Sequence, residues 1–267
     1  MNRDELYSQI KKKGSMLCVG LDTDYPKIPE CVKSGRSITE AVLEFNRRII
    51  DATSPCCVAF KPNLAFYECL GKEGMSVLDK TVDYIRTNHP GQFIIADAKR
   101  GDIGNTAKMY AKSYFETFDF DAVTLSPYMG SETVTPFLEY PGRFAIVVAL
   151  SSNQSSEDFQ LSLKDGKPLF RTVIERMMEI STPDNMMFVV GATKADKFKE
   201  IRSFCPDNFF LVPGVGAQGG NAEEVISEGA NDKGGLLINS SRGIIYASSG
   251  EDFAEAAARA AFTAARF

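Results

Sequence analysis

The chain alternates short apolar runs with segments of helical periodicity, and this alternation limits the possible folds more than any other feature. Eight runs rich in aliphatic residues recur along the 267 residues, at 16–22, 57–63, 92–99, 121–126, 144–152, 186–194, 209–216 and 235–243. Each run is apolar almost throughout rather than at every second position. This pattern is typical of strands that are buried on both faces of a parallel sheet.

Amphipathic segments separate the runs and predict helices between the strands. The segment 37–51 opens with a capping box, Ser37 to Glu40, ahead of an apolar stripe. The stripe consists of Ile38, Val42, Phe45 and Ile49. Similar stripes run through 74–87, 105–117, 168–180, 195–203 and 221–228, and an Ala-rich helix follows in 251–267. Because no Pro/Gly-rich linker interrupts the alternation, we predict an α/β fold, a single (β/α)8 TIM barrel domain over 1–267, with an open doubly wound sheet as the alternative.

Composition narrows the chemistry that such a barrel could perform. The chain has 30 basic and 35 acidic residues and no long basic run, which argues against a nucleic-acid partner. Its single histidine, His89, lies in a turn signal, so a Ser-His-Asp triad is excluded. The six cysteines fit no C-x-x-C metal or redox pattern. Acid–base catalysis would therefore depend on Lys, Asp, Glu or Tyr.

The start of the chain and the lengths of its apolar runs bear on location. The opening MNRDELYSQIKKKG has no apolar core of a secretory signal. Every apolar run is far shorter than the ~18 residues that a membrane-spanning helix needs. We therefore expect a cytoplasmic protein without a membrane partner, whose reduced thiols mostly act as small core residues.

Charged and polar residues cluster at the carboxyl ends of the predicted strands, where barrels place their active sites. They are Asp22, Lys61, Asn63, Asp97, Lys99, Ser151, Ser152, Ser241 and Arg242. Asp97 and Lys99 are two residues apart, so an extended strand would point both to one face. Asp102 follows the turn at Gly101 and could point back to the barrel mouth or out to a neighbouring molecule. Lysines beside acids supply a protonated donor next to a fixed negative charge, which suits forming and protonating a carbanion.

Two further segments predict a phosphate site. The glycine-rich VPGVGAQGGN (212–221) follows the seventh run, and NSSRGI (239–244) ends the eighth. Barrels commonly bind phosphate in the loops after strands seven and eight, here with Gln218 and Arg242 as donors. The long polar stretch 151–167 after the fifth run is typical of a functional loop.

The order and spacing of these motifs resemble the orotidine 5′-phosphate decarboxylase family. Its D-x-K-x-x-D-I-x-x-T signature is matched by DAKRGDIGNT at 97–106. GLD, FKPN, PGVGAQGG and SSRG follow the family order, and the matches span 16–243. The spacing, with SPYMG and LSSN, is most similar to the longer bacterial branch of the family.

The resemblance implies a cofactor-independent, metal-free decarboxylation of orotidine 5′-phosphate by a homodimer. It implies that Lys99 donates the proton to pyrimidine C6 and that Asp97 lies beside the departing carboxylate. Lys61 and Asp102 would complete the charged array. Asp102 and Thr106 would act across the dimer interface, in the active site of the other subunit.

The resemblance also implies a set of residues that contact the rest of the substrate. These are Asp22 and Lys61 at the ribose hydroxyls, Gln218 and Arg242 at the phosphate, Pro213 on the apolar side of the pocket, Ser152 at the pyrimidine amide, and Ser241. The family favours S-N-P-G after the fifth strand, whereas this chain continues from Ser152 with Asn153, Gln154 and Ser155. Ser151 therefore stays open as the alternative to Ser152.

Three other functions remain alternatives. Mg²⁺-dependent sugar-phosphate decarboxylases and hexulose-phosphate synthases share the barrel and the D-x-K-x-x-D signature, but their second strand tends to end in an acid where this chain has Lys61. A Schiff-base aldolase could use Lys61 or Lys99, although the flanking acids oppose the depressed pKa that a nucleophilic lysine needs. A non-catalytic nucleotide-binding barrel is the third alternative.

Overall fold

In the computed structural model, which describes residues 1–215 and 220–266, eight parallel strands form a closed barrel. The strands are β1 Leu17–Gly20, β2 Ala59–Lys61, β3 Phe93–Arg100, β4 Ala122–Leu125, β5 Phe144–Leu150, β6 Met186–Val190, β7 Phe209–Val212 and β8 Leu236–Ser240. Each strand is hydrogen-bonded to its neighbours in sequence, and β8 closes onto β1. Every predicted run coincides with one strand, so the predicted (β/α)8 barrel is confirmed.

Helices lie between the strands. The α-helices of the described residues are α1 Arg3–Lys13, α2 Glu30–Lys33, α3 Ile38–Thr53, α4 Ala65–Glu68, α5 Gly71–Asn88, α6 Gly104–Lys112, α7 Thr135–Leu138, α8 Leu169–Glu179, α9 Phe198–Phe204, α10 Ala222–Gly229, α11 Arg242–Ile245 and α12 Phe253–Ala264. Short 3₁₀ helices cover Tyr25–Lys27, Ser131–Thr133, Gln154–Asp158 and Ala192–Lys197, and a π-helix covers Ser113–Thr117. Within the described ranges, no helix combines the length and the apolar character needed to cross a membrane.

The described chain divides into two compact units. The first unit comprises 8–98 and 240–266, with β1, β2 and most of β3. The second unit comprises 1–7 and 99–239, with β4 to β7 and most of β8. A single domain over 1–267 stays a prediction.

In the first unit, α3 begins with the predicted capping box. The Glu40 backbone N–H donates to the Ser37 hydroxyl, and the Ser37 backbone N–H donates to the Glu40 carboxylate. The predicted stripe is buried except at Ile38, which is 46% exposed. The reason is that Ile38 is the first helical residue, so the end of the helix leaves one side of its side chain uncovered.

A buried polar network supports the end of β1 in the same unit. The Asn46 amide accepts a hydrogen bond from the Thr23 hydroxyl at 2.6 Å and donates to the Tyr67 and Thr81 hydroxyls. The Tyr67 hydroxyl in turn donates to the Leu21 carbonyl at 3.0 Å. Because every member has a partner, the network can be buried at little cost and fixes the backbone directly before Asp22.

The cysteines divide evenly between core and surface. Cys18, Cys57 and Cys205 are buried, whereas the other three reach the surface wholly or in part, so the core role predicted for most of them holds for half. Burial raises the pKa of the Cys57 thiol to about 12 from an ordinary value of 9.0. Burial likewise raises the pKa of Cys205 to about 12.

Because the pKa values of these thiols are raised, we expect the protein to lose stability at alkaline pH. The unfolded chain releases the Cys57 proton above its ordinary pKa of 9.0, whereas the folded chain keeps it until about 12. Stability is therefore intact below the unfolded pKa and falls as the pH rises towards the folded one. The difference, three pH units at ~1.36 kcal/mol each, is on the order of 4 kcal/mol at pH 12.

Urea unfolding of the wild type and of Cys57→Ala across this pH range measures the effect. We expect the free energy of unfolding of the variant to fall less steeply with pH, whatever constant offset the lost side chain causes. Equal slopes for the two proteins would contradict the assignment to Cys57.

Candidate active site

The carboxyl end of β2 places a lysine between two acids in the first unit. Lys61 is the last residue of β2 and only 4% exposed. Its ammonium lies 2.7 Å from Asp97 Oδ2, on β3, and 4.0 Å from Asp22 Oδ1, just after β1. Because β1 and β3 flank β2, the three strand ends bring these charges together. The structure thus assembles three of the predicted site residues.

The electrostatics of this cluster keep Lys61 charged. Burial by itself lowers the pKa of the ammonium, but the Asp97 and Asp22 carboxylates more than offset this, so the pKa of Lys61 lies above its ordinary value. A lysine held protonated cannot serve as a nucleophile. It can neutralise acids that would otherwise be buried at high cost.

Two tyrosines hold the chain around Asp22. The Tyr67 hydroxyl donates to the carbonyl of Leu21, the residue before Asp22, and the Tyr246 hydroxyl donates to the Asp22 carbonyl at 3.1 Å. The Asp24 N–H donates to the same Tyr246 oxygen at 2.7 Å. Asp22 Oδ1 is buried without a hydrogen-bond partner among the described residues. The backbone at Asp22 is therefore fixed in place, and its Oδ1 can accept a hydrogen bond from a further donor.

The backbone at the end of β3 departs from an ideal strand. Lys99 has a φ of +46°, in the left-handed region, and its side chain is exposed, whereas the Asp97 side chain is 10% exposed. The backbone at Lys99 thus differs from that of an ideal strand, and the shared face predicted for Asp97 and Lys99 stays a prediction. Its N–H donates to the buried Thr124 hydroxyl of β4 at 2.9 Å.

The next signature residues lie in the connection to α6 within the second unit. Asp102 is half-buried, and its Oδ1 accepts the N–H of Ile103 at 2.8 Å. Gly104 opens α6 with a φ of +55°, and Thr106 is exposed in the first turn. Asp102 thus lies just before α6, and Thr106 lies in its first turn.

The loop after β5 distinguishes Ser151 from Ser152. The Gln160 amide accepts the Ser151 N–H at 2.7 Å and donates to the Ser151 hydroxyl at 2.9 Å, while that hydroxyl donates to Asn153. Ser151 is thus engaged within its own loop. The carbonyl of half-buried Ser152 accepts a hydrogen bond from the Thr193 hydroxyl at 2.9 Å.

Gly191 packs closely against the backbone of Ser152. A Cβ at Gly191 would lie 2.6 Å from both Cα and N of Ser152, closer than such atoms approach in proteins. The Gly191 N–H also donates to the Leu150 carbonyl at 2.8 Å. Only glycine permits this contact between the end of β6 and the loop after β5.

The remaining predicted residues lie after β7 and β8. Pro213 is half-buried, and its carbonyl accepts the Ala192 N–H at 2.9 Å. Gln218 lies outside the described residues. Arg242 is exposed at the first position of α11, and half-buried Ser241 precedes it. Ser241 packs so tightly on β1 that a Cβ at Gly20 would overlap its hydroxyl.

Several residues that contact the candidate site residues were not predicted from the sequence. Two of them could have been found from the sequence. Thr124 is a polar residue within an apolar run, and Gly191 is a glycine near the end of such a run. No sequence pattern indicates the roles of Gln160, Thr193 and Tyr246, because their hydrogen-bond partners are distant in sequence or lie in irregular loops. His89 directly follows α5, in the connection to β3 where its turn signal placed it, and contacts Asp51 at 2.8 Å. In the described ranges, no group of three or more His, Cys, Asp or Glu residues is arranged to hold a metal ion.

A family model, curated relatives and solved structures all relate this chain to the same family. The family model described as "Orotidine 5′-phosphate decarboxylase / HUMPS family" matches residues 15–259. The orotidine 5′-phosphate decarboxylase of Phocaeicola vulgatus is 53% identical over 98% of this chain and 95% of its own length, and that of Parabacteroides distasonis is 54% identical over 98% and 92%. The solved OMP decarboxylase of Leishmania donovani superposes with a TM-score of 0.80 at 32% identity, covering 99% of each chain. The chain belongs to the orotidine 5′-phosphate decarboxylase / HUMPS family.

Proposed function

We propose that this chain converts orotidine 5′-phosphate to UMP in the cytoplasm, as the last step of de novo pyrimidine nucleotide synthesis, without a metal or organic cofactor. The observation that carries the proposal is the buried Lys61 ammonium between Asp22 and Asp97. The strand that contributes Asp97 also carries Lys99 two residues later. A protonated donor thus follows closely on a fixed negative charge, as a carbanion mechanism requires.

The proposed reaction breaks one bond and forms one. The bond between pyrimidine C6 and the substrate carboxylate breaks, CO₂ leaves, and the electron pair stays on C6. The Lys99 ammonium stabilises this charge and then transfers its proton to C6, after which solvent reprotonates the amine. Asp97 lies beside the departing carboxylate, and the Lys61 ammonium 2.7 Å away is its ion-pair partner.

The rest of the substrate is held by groups at other strand ends. We assign the ribose hydroxyls to Asp22 and Lys61, because Asp22 Oδ1 is buried with no hydrogen-bond donor among the residues that the structure describes, and such a carboxylate oxygen favours a ligand hydroxyl. Arg242 and Gln218 bind the phosphate, joined by Ser241, while Pro213 lines the apolar side. Ser152 contacts the pyrimidine amide, since the Ser151 hydroxyl is engaged by Gln160 and Asn153.

We further propose a homodimer in which Asp102 and Thr106 reach the partner's active site. In the second unit, large apolar side chains are exposed in the segments that follow β3, β4 and β5, and they are Ile103, Met109, Tyr128, Met129, Phe159 and Leu163. Tyr128 is 85% exposed and lines, with Phe159, a pocket of about 470 Å³. Large exposed apolar side chains favour a protein interface, and we infer that the segment that begins with Asp102 and Ile103 contributes to it.

Mixing two inactive variants tests the shared site. In a mixed dimer of Lys99→Ala with Asp102→Ala, one active site lacks both groups and the other is intact. Each variant alone should be inactive, and random subunit exchange should restore about a quarter of the wild-type activity, since half of the dimers then have one complete site. Failure of the mixture to regain activity, with exchange verified by mass spectrometry, would contradict the shared site.

A substitution at Gly191 tests the assignment of Ser152. We expect Gly191→Ala to lower kcat/KM by ~10- to 100-fold, because the added Cβ displaces Ser152 and misplacement by about 1 Å can have such an effect. Steady-state kinetics measure the loss, and Thr193→Ser, which keeps the hydroxyl on the Ser152 carbonyl, is the matched control. Wild-type kinetics in Gly191→Ala would argue against Ser152 as a substrate contact.

Two inexpensive assays separate this proposal from the alternatives. An Mg²⁺-dependent sugar-phosphate enzyme would lose activity in EDTA, whereas we expect turnover of orotidine 5′-phosphate to persist. A Schiff-base aldolase would be trapped covalently by borohydride in the presence of its carbonyl substrate, whereas we expect no adduct, because the pKa of Lys61 is raised rather than lowered. A non-catalytic barrel would bind the nucleotide without forming UMP.

A further inference from the structure

The proton donor assigned above has an unusual backbone. A non-glycine residue with positive φ is uncommon, and this conformation costs about 1 kcal/mol or more unless its surroundings hold it. Lys99 has a φ of +46° and lies at the penultimate position of β3. Contacts with neighbouring residues must therefore hold this peptide in place.

Thr124 of β4 is placed to do so. Its hydroxyl accepts the Lys99 N–H at 2.9 Å, and the side chain is 1% exposed. A buried hydroxyl in an otherwise apolar strand needs a partner, and the Lys99 N–H supplies one.

The two residues after Lys99 also contact the chain at the end of β4. The Ser126 N–H donates to the Arg100 carbonyl at 2.7 Å. At Gly101, a Cβ would lie 2.5 Å from the Ser126 carbonyl oxygen, so the two backbones are in direct contact. Residues 99 to 101 therefore contact Thr124 of β4 or Ser126, the residue after β4, at three successive positions, and at Lys99 the contact is a hydrogen bond to the Thr124 side chain.

We propose that Thr124 is a positioning residue for the proton donor Lys99. The inference rests on the proposed function, since it assigns a purpose to Thr124 only if Lys99 protonates C6. The hydroxyl fixes the Lys99 N–H, and with it the peptide plane and the direction of the Cα–Cβ bond. An extended backbone at Lys99 would turn the side chain to a different face.

Variants of Thr124 separate the hydroxyl from the shape of the side chain. Thr124→Val keeps the β-branched shape but removes the acceptor, whereas Thr124→Ser keeps the acceptor. We expect Thr124→Val to lower kcat by ~10- to 100-fold with little change in UMP affinity, and Thr124→Ser to stay within about threefold of the wild type. Thr133→Val, which removes another buried hydroxyl of the same unit, is the matched control and should keep wild-type kcat.

Two readouts do not depend on the overall rate of decarboxylation. Exchange of the C6 hydrogen of UMP with D₂O reports the proton-transfer step in reverse, and it should slow in Thr124→Val in proportion to kcat. Hydrogen exchange of the Lys99 amide should accelerate in the same variant and not in Thr133→Val. Thermal unfolding of each variant establishes that it is folded.

The possible failures can be told apart. If the wild type makes no UMP, the proposed function is wrong and this inference falls with it. If the wild type is active and Thr124→Val keeps wild-type kcat and C6 exchange, the proposed function stands and only the role of Thr124 is wrong. Equal losses in Thr124→Ser and Thr124→Val would also overturn the role, because the hydroxyl would then not matter.

Discussion

Replacement of Lys99 by alanine is expected to abolish turnover, with a fall in kcat of at least ~10⁴-fold, while UMP still binds. In the proposed mechanism, the variant lacks both the cation that stabilises the charge on C6 and the proton that neutralises it. Binding should persist because the proposed phosphate and ribose contacts come from other strands. Lys99 is also exposed, so its loss removes little core packing.

Turnover of orotidine 5′-phosphate and calorimetric titration with UMP measure the two expectations separately. Lys72→Ala, which removes an exposed lysine from the start of α5, is the matched control and should keep wild-type values for both. Near-normal kcat in Lys99→Ala would show that another group donates the proton. Loss of UMP binding would instead assign Lys99 to ground-state binding.

The second large effect concerns the buried pair in the first unit. Lys61→Met is expected to lower the free energy of unfolding by ~3–5 kcal/mol, since removing one partner leaves a buried charge without its counter-charge. The Asp97 carboxylate loses its 2.7 Å partner, and Asp22 loses the cation that lies 4.0 Å away. Turnover should also fall sharply, because the two carboxylates would then repel each other and the substrate carboxylate.

The double variant Lys61→Met with Asp97→Asn separates stability from catalysis. Removing the stranded charge as well should restore most of the lost stability, and turnover should stay low. Urea unfolding and steady-state kinetics on the wild type, both single variants and the double variant complete the cycle. If Lys61→Met were as stable as the wild type, the ion pair would not be the buried, coupled pair described above.

Much of the scaffold could be predicted because barrel strands follow local rules. The apolar runs located all eight strands, and the capping box located the start of α3. The meeting of Lys61 with Asp97 and Asp22 could also be anticipated, because strands that are adjacent in a barrel end side by side. Patterns within single segments were sufficient for the strands and the helix start, and the order of strands in a barrel was sufficient for the meeting of the charges.

What could not be predicted depends on contacts between distant segments. The left-handed backbone of Lys99 is held by Thr124, 25 positions along the chain, and no local pattern at DAKRG indicates it. The engagement of Ser151 by Gln160 arises inside an irregular loop, where periodicity carries no information. Ile38 is exposed because hydrophobic periodicity takes no account of where a helix ends.

Decarboxylation of orotidine 5′-phosphate carrying ¹³C in its carboxylate tests the central claim most directly. The purified wild-type chain in EDTA should release labelled CO₂ and form UMP in equal amounts, and Lys99→Ala under the same conditions should produce neither. No CO₂ from the wild type, or CO₂ only after Mg²⁺ is added, would contradict a cofactor-independent decarboxylase built on these strand ends.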